Sequence, residues 1–163
     1  MELEAADTGG AGAAGRARWR RNATRARVML ADADPVFRRA LAGALRAEGY
    51  EVLEAEDGQL LIRTLILSLE RDGRAPELII SGVAMPGCTG LEVLARVRRI
   101  GWSTPFILLN EPGAPGALEA YGEGERLGAT FVLDKPMEPE AVACAALILV
   151  EPEPALAQSL RHE

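Results

Sequence analysis

The sequence predicts an open α/β domain, a parallel sheet with helices on both faces. Three observations predict it: short buried-type apolar runs alternate with helical patterns, the alternation repeats until five strands have been laid down, and helix-capping residues mark the joins. Parallel neighbours cannot be joined by a tight turn. Each connection must cross a face of the sheet, and the intervening helices supply those crossovers.

Val28-Met29-Leu30-Ala31 reads as the first strand. Asp34-Pro35 then offers an N-cap carboxylate and a proline suited to the first helical position. Phe37, Ala40, Leu41, Ala44 and Leu45 follow at helical spacing, and Gly49 ends the helix. Glu51-Val52-Leu53-Glu54 is the second strand, and a helix from Gln59 to Arg71 leads to the third, Leu78 to Ser81. A helix from Leu91 to Ile100 precedes the fourth strand, Phe106 to Leu109; the fifth is Phe131 to Leu133. The last helix runs from about Glu138 to Val150 and is stopped by Glu151-Pro152-Glu153-Pro154. The fourth crossover is the weakly specified one. Pro112, Gly113, Pro115, Gly116, Gly122 and Gly124 fall between Asn110 and Gly128, and each interior glycine costs a helix about 1 kcal/mol relative to alanine. That helix is expected to be short, frayed or displaced, either a loose surface connection or a segment that orders on a partner.

A chain of 163 residues, 48% of them hydrophobic, accommodates one domain with a real core plus tails. Residues 1–26, rich in Ala, Gly and Arg, lack periodicity and read as a disordered arm; 27–150 form the domain; 151–163 are a short tail. The net charge of −6 argues against a general nucleic-acid binder, yet Arg16, Arg18, Arg20, Arg21, Arg25 and Arg27 cluster without an acid among them. Attraction to nucleic acid or to an anionic membrane would sit in that arm, with Trp19 able to insert or stack; the bland alternative is a solvated leader. Cys88 and Cys144 have no metal-ligand spacing and read as reduced small hydrophobes, so no disulfide framework or zinc site is implied. Met1-Glu2-Leu3-Glu4 does not read as a secretory signal. The longest apolar run, Leu60 to Leu69, is interrupted by Arg63 and is too short to span a bilayer, which takes roughly 20 residues. A cytoplasmic protein is expected.

With the strands in the order 2-1-3-4-5, the carboxyl ends of the first, third and fifth meet at a topological switch point, where such sheets place their chemistry. Asp32, Gly82 and Lys135 stand there. The motifs around them come in a definite order: Asp32-Ala33 followed by Asp34, then Met85-Pro86-Gly87 and Gly90-Leu91-Glu92 after the third strand, then Lys135-Pro136 after the fifth. Over about Arg27 to Val150 this set resembles the receiver domain of two-component response regulators. The resemblance implies a flavodoxin-like (CheY-like) fold.

It also implies what each position should do. Receivers carry a phosphoacceptor aspartate where this chain has Gly82, and two adjacent acids for Mg²⁺ where it has Asp32-Ala33. The backbone carbonyl of Ala84 would be the other remaining ligand, so Mg²⁺ binding is expected to be weak or absent and no cofactor is implied. Lys135 matches the lysine that pairs with the phosphoaspartate, and Pro136 the proline that follows through a cis bond. Asn110 replaces the small hydroxyl that follows the phosphoryl group, and Val132 the aromatic that swings in response. Asp34 reads as a helix cap. Ser81 and Asp134 point to the opposite face from their neighbours Gly82 and Lys135, Cys88 and Thr89 have no identifiable base, and His162 is isolated.

The resulting reading is a non-enzymatic, phosphorylation-independent protein-interaction module in two-component or phosphorelay signalling. The alternatives are a phosphorylatable regulator using Asp32 as a substitute carboxylate, and a nucleic-acid-associated protein acting through Arg16–Arg27. The last helix is apolar around most of its circumference, more than one packed stripe requires. Leu147 and Val150 are therefore candidate contacts for a protein partner or a homodimer through the face of helix 4, strand 5 and helix 5, which receivers commonly use. The helix carrying Leu60, Leu61, Ile62, Leu65, Ile66, Leu67 and Leu69 is a second such surface.

Overall fold

A computed structural model describes residues 25–153. The expectations for Arg16, Arg18, Trp19, Arg20, Arg21 and His162 therefore lie outside the described residues. The elements alternate without exception: β1 (Arg27–Ala31), α1 (Pro35–Ala47), β2 (Glu51–Ala55), α2 (Gly58–Asp72), β3 (Leu78–Gly82), α3 (Gly90–Arg99), β4 (Phe106–Asn110), α4 (Glu119–Arg126), β5 (Phe131–Asp134) and α5 (Pro139–Leu149). The five strands form one sheet in the order β2-β1-β3-β4-β5, and every pairing is parallel. This is the predicted flavodoxin-like (CheY-like) order.

Strand alternation divides the core in two. Val28, Leu30, Leu78, Ile80, Ile107 and Leu109 face α1 and α5, where Leu41, Leu45, Val142 and Ala146 cover them. Met29, Ile79, Phe106 and Leu108 face the other way, under Leu61, Leu65, Val93, Leu94 and Val97 of α2 and α3. Both faces of each central strand are thus dry, which is why these strands read as unbroken apolar runs. Burying one such side chain stabilises the fold by about 1.5–3 kcal/mol.

The Asp34 cap forms as the sequence anticipates. The Asp34 carboxylate accepts from the amides of Val36 and Phe37 at 3.0 and 3.3 Å, with Pro35 in the first turn. Thr89 and Glu92 close a reciprocal capping box at the start of α3. The fourth helix is short, eight residues from Glu119 to Arg126. Its Gly124 explains why it tolerates a poor helix former: a Cβ there would lie 3.0 Å from Leu108 Cδ1 and 3.3 Å from Val132 Cγ2. The glycine gives up helix propensity so that α4 can lie close on the sheet.

Two expectations need correction. Arg27, grouped with the arm by its charge, is only 6% exposed. Its Nε donates to Glu51 at 3.0 Å and its Nη2 to Asp72 at 2.9 Å, and Nη1 donates to Ser68. An arginine with this many acceptors is a satisfied part of the fold, not a free cation. Val150, a candidate outward contact, lies beyond the last turn of α5 and packs against the α1 side of the core. Tyr50 donates its phenol proton to the Val150 carbonyl. Leu147 and Ile148 are the residues that face outward.

At the start of α3 a Cβ on Gly90 would stand 2.2 Å from the carbonyl oxygen of Gly82, as close as one on Gly58 would come to the carbonyl of Cys88. Gly90→Ala is expected to lower the unfolding free energy by about 1–3 kcal/mol. Gly122, inside α4, has nothing within 4 Å of its Cβ position, and Gly122→Ala is expected to raise it by up to about 1 kcal/mol. Urea denaturation with an unchanged slope checks both.

Candidate functional site

The crevice at the carboxyl edge is assembled from three separate crossovers. Asp32 follows β1 directly and is 3% exposed. Its Oδ1 accepts from the Asp34 amide at 2.9 Å, and its Oδ2 lies 2.7 Å from Lys135 Nζ, which follows β5. The same ammonium sits 4.7 Å from the ring centroid of Phe37, in the first turn of α1, an arrangement in which the ring face attracts the cation. Arg38 Nη1 donates to the Asp32 carbonyl at 2.8 Å, while its Nε lies 3.4 Å from Glu54. The Lys135-Pro136 bond is cis.

Gly82 ends β3 between these groups. A Cβ there would be 3.4 Å from Asp32 Oδ2 and 3.5 Å from Met85 Cγ, ordinary contact distances. A side chain at this position would therefore project beside the Asp32 carboxylate without collision. Ala33 and Pro136 are exposed at the rim. Ser81 is fully buried, its hydroxyl donating to the Gly82 carbonyl at 3.0 Å.

Asn110 and Val132 belong to a different cluster. Asn110 is fully buried, and its Nδ2 donates to the Ala117 carbonyl at 3.2 Å and to Asp134 Oδ1 at 3.0 Å. Tyr121, on α4, donates its hydroxyl to the Asp134 carboxylate, 2.5 and 2.6 Å from its two oxygens. This holds the Tyr121 phenol proton, so its pKa is raised above the usual value, the hydrogen bond to Asp134 being the main cause and that from Asn110 opposing it. Val132 lies under Gly124.

The fold thus brings Asp32, Gly82 and Lys135 together, and places Asn110 and Val132 with α4. Leu147 stands on the outer surface of α5, and Val150 against the core. Sequence reasoning missed Phe37, Tyr121 and Asp134 as members of these clusters. Asp134 could have been found, since it is in register with Asn110 across the β4–β5 pair and register partners share a face. Tyr121 could not, because its place depends on how α4 docks. Among the described residues, no group of three or more His, Cys, Asp and Glu side chains is close enough to hold a metal, and no helix is long and apolar enough to cross a membrane.

Residues 28–146 match the response regulator receiver domain. The chain belongs to this family. It is 30% identical over 125 residues to the phosphate regulon transcriptional regulatory protein PhoB of Pseudomonas aeruginosa, a match covering 75% of this chain and 51% of PhoB. It is 30% identical over 117 residues to the two-component response regulator ORR41 of Oryza sativa subsp. japonica, covering 70% of this chain and 86% of ORR41. Among solved structures, the chemotaxis response regulator CheY4 of Vibrio cholerae superposes with a TM-score of 0.63 at 30% identity, covering 78% of this chain and all of CheY4. The receiver thus spans about half the length of PhoB and most of the length of ORR41.

Both tyrosines of the receiver are held above their ordinary pKa. Tyr50, raised chiefly by burial and further by Glu48, is pushed up to about 12. The folded protein therefore keeps protons that the unfolded chain releases near pH 10, so this stabilisation is complete below about pH 10 and is lost as pH rises through about 12. Phenolate absorbance should show Tyr50 largely un-ionised at pH 10. In Asp134→Asn, one tyrosine should titrate nearer its ordinary value while Tyr50 stays high.

Proposed function

We propose that this receiver is a non-enzymatic, phosphorylation-independent protein-interaction module of a two-component or phosphorelay system. The observation that carries the reading is at the end of β3, where Gly82 faces Asp32 with no side chain of its own. Phosphoryl transfer to a receiver needs an oxygen nucleophile in line with the donor and a metal to neutralise the moving charge. Glycine offers no such oxygen.

The donor set does not fit Mg²⁺ either. Octahedral coordination asks for several oxygens with room for waters. Asp32 already spends Oδ1 on the Asp34 amide and Oδ2 on Lys135. Ala33 contributes no ligand, and the Asp34 carboxylate is occupied as the cap of α1. The same occupancy weighs against Asp32 as a substitute phosphoacceptor. Asn110, bonded toward Asp134 and Ala117, and Val132, covered by Gly124, are poorly placed to report on the crevice.

What remains for function is surface. The face made by α4, β5 and α5 exposes Leu118 at 85%, Ile148 at 77%, and Tyr121 and Leu147 to a lesser degree; Ala141 and Cys144 extend the stripe along α5. Exposed apolar side chains on a face that receivers commonly use are candidates for an interface, and a protein partner or a second copy is the proposed occupant. A nucleic-acid role through Arg16–Arg27 loses Arg27, which is committed inside the fold.

Incubation with acetyl phosphate and Mg²⁺, read by intact mass, should yield no phosphoryl adduct; a stoichiometric adduct would overturn the reading. Gly82→Asp alone should remain inefficient, and Gly82→Asp with Ala33→Asp should accept phosphate. Ile148→Glu should weaken partner capture or self-association at least tenfold, measured by titration, while leaving the thermal midpoint within a few degrees of the parent.

A further inference from the structure

The negative charge of the chain is concentrated in α4, β5 and α5. From Asn110 to Val150 the sequence carries seven acidic residues and two basic ones, a net −5 against −6 for all 163 residues. Both cations are committed. Arg126 is bonded to Glu123 at 2.7 Å, and Lys135 to Asp32 at 2.7 Å inside the crevice. Glu111, Glu119, Glu125, Glu138 and Glu140 are exposed and have no ion-pair partner among the described residues.

These acids stand beside exposed apolar side chains. Leu118, Tyr121 and Glu125 follow at intervals of three and four residues and so share one side of α4. The Tyr121 bond to Asp134 turns that side toward the end of β5. Beyond β5, whose Phe131 and Leu133 join the α5 side of the core, the exposed residues Ala141, Cys144 and Ile148 repeat at helical spacing on the outside of α5. Glu138 stands at the start of that helix, where its side chain makes no cap bond.

Charge argues against a second copy as the occupant. In a two-fold dimer each surface meets its own equivalent, so acids would face acids with no spare cation on either side to separate them, and like charges across an interface are costly. Duplex DNA and anionic lipid carry the same sign and are disfavoured for the same reason. We propose that this face receives a basic amphipathic helix of another protein, its apolar stripe on Leu118, Tyr121 and Ile148 and its Lys or Arg side chains toward Glu125 and Glu138. This occupant rests on the interaction-module reading and narrows it from any partner to a cationic one.

The probe is a short labelled amphipathic helix of Leu and Lys, titrated with the full chain and read by anisotropy beside a Leu/Glu helix and a Ser/Lys peptide of equal charge. The parent should bind the Leu/Lys helix at least tenfold more tightly than either control, and should lose at least tenfold in affinity between about 50 and 300 mM salt. Glu125→Lys/Glu138→Lys should weaken binding at least tenfold, and Glu125→Gln/Glu138→Gln by less. Glu48→Lys/Glu70→Lys makes the same change of net charge at exposed positions on other helices and should leave binding unchanged. Equal loss in that variant, or equal binding of the Ser/Lys peptide, overturns the proposal, because net charge alone would then explain the affinity. Sedimentation at low salt should show a monomer. Dimers that Ile148→Glu abolishes would overturn the cationic occupant while leaving the interaction-module reading intact, whereas probe binding and self-association both indifferent to Ile148→Glu would remove the face itself. Should Glu138→Lys fail to fold, Glu125→Lys alone, with the salt series on the parent, still decides.

Discussion

The 2.7 Å ion pair between Lys135 and Asp32 governs the chemistry of the crevice. Asp32 is withdrawn from water, and a buried carboxylate is tolerable only with a counter-charge and hydrogen bonds. Lys135 supplies the first, the Asp34 amide the second, and Phe37 shields the ammonium from the other side. With no carboxylate at position 82, Lys135 pairs with Asp32 alone among the described residues. A divalent ion needs an excess of negative oxygen, and a phosphoryl group needs a cation not already neutralised. Removing either partner would strand the other, at a cost of about 3–5 kcal/mol for a buried pair, so the pair also secures the fold by joining the ends of β1 and β5.

The second cluster shows where a response could still arise. Asn110, Asp134 and Tyr121 join the ends of β4 and β5 to α4 through hydrogen bonds, and Gly124 lets α4 rest directly on Leu108 and Val132. A partner seated on α4, β5 and α5 would act on these bonds without passing through the crevice. Such a partner can shift the conformation only to the extent that it binds one arrangement better than another. The proposed role as an interaction module therefore places control at the surface.

The fold was largely readable because its determinants are local. Apolar runs buried on both sides and the Asp34-Pro35 cap each act within a few residues, and the switch-point rule then gathered Asp32, Gly82 and Lys135. What escaped the sequence depends on distant partners. Arg27 looked like one more arm arginine because Glu51 and Asp72 are brought to it by two later crossovers. Val150 looked like part of an apolar helix, but the chain turns extended there and Tyr50 fastens its carbonyl. The Tyr121–Asp134 bond needed the docked position of a helix that propensity alone describes poorly.

The proposed function requires that the crevice take no phosphoryl group. Amide NMR spectra of the receiver, recorded with Mg²⁺ and then with beryllofluoride as a phosphoryl mimic, test it directly. The resonances of Asp32, Gly82, Asn110 and Lys135 should remain where they are in the free protein. Saturable shifts at these residues, spreading to Tyr121 and α5, would contradict it.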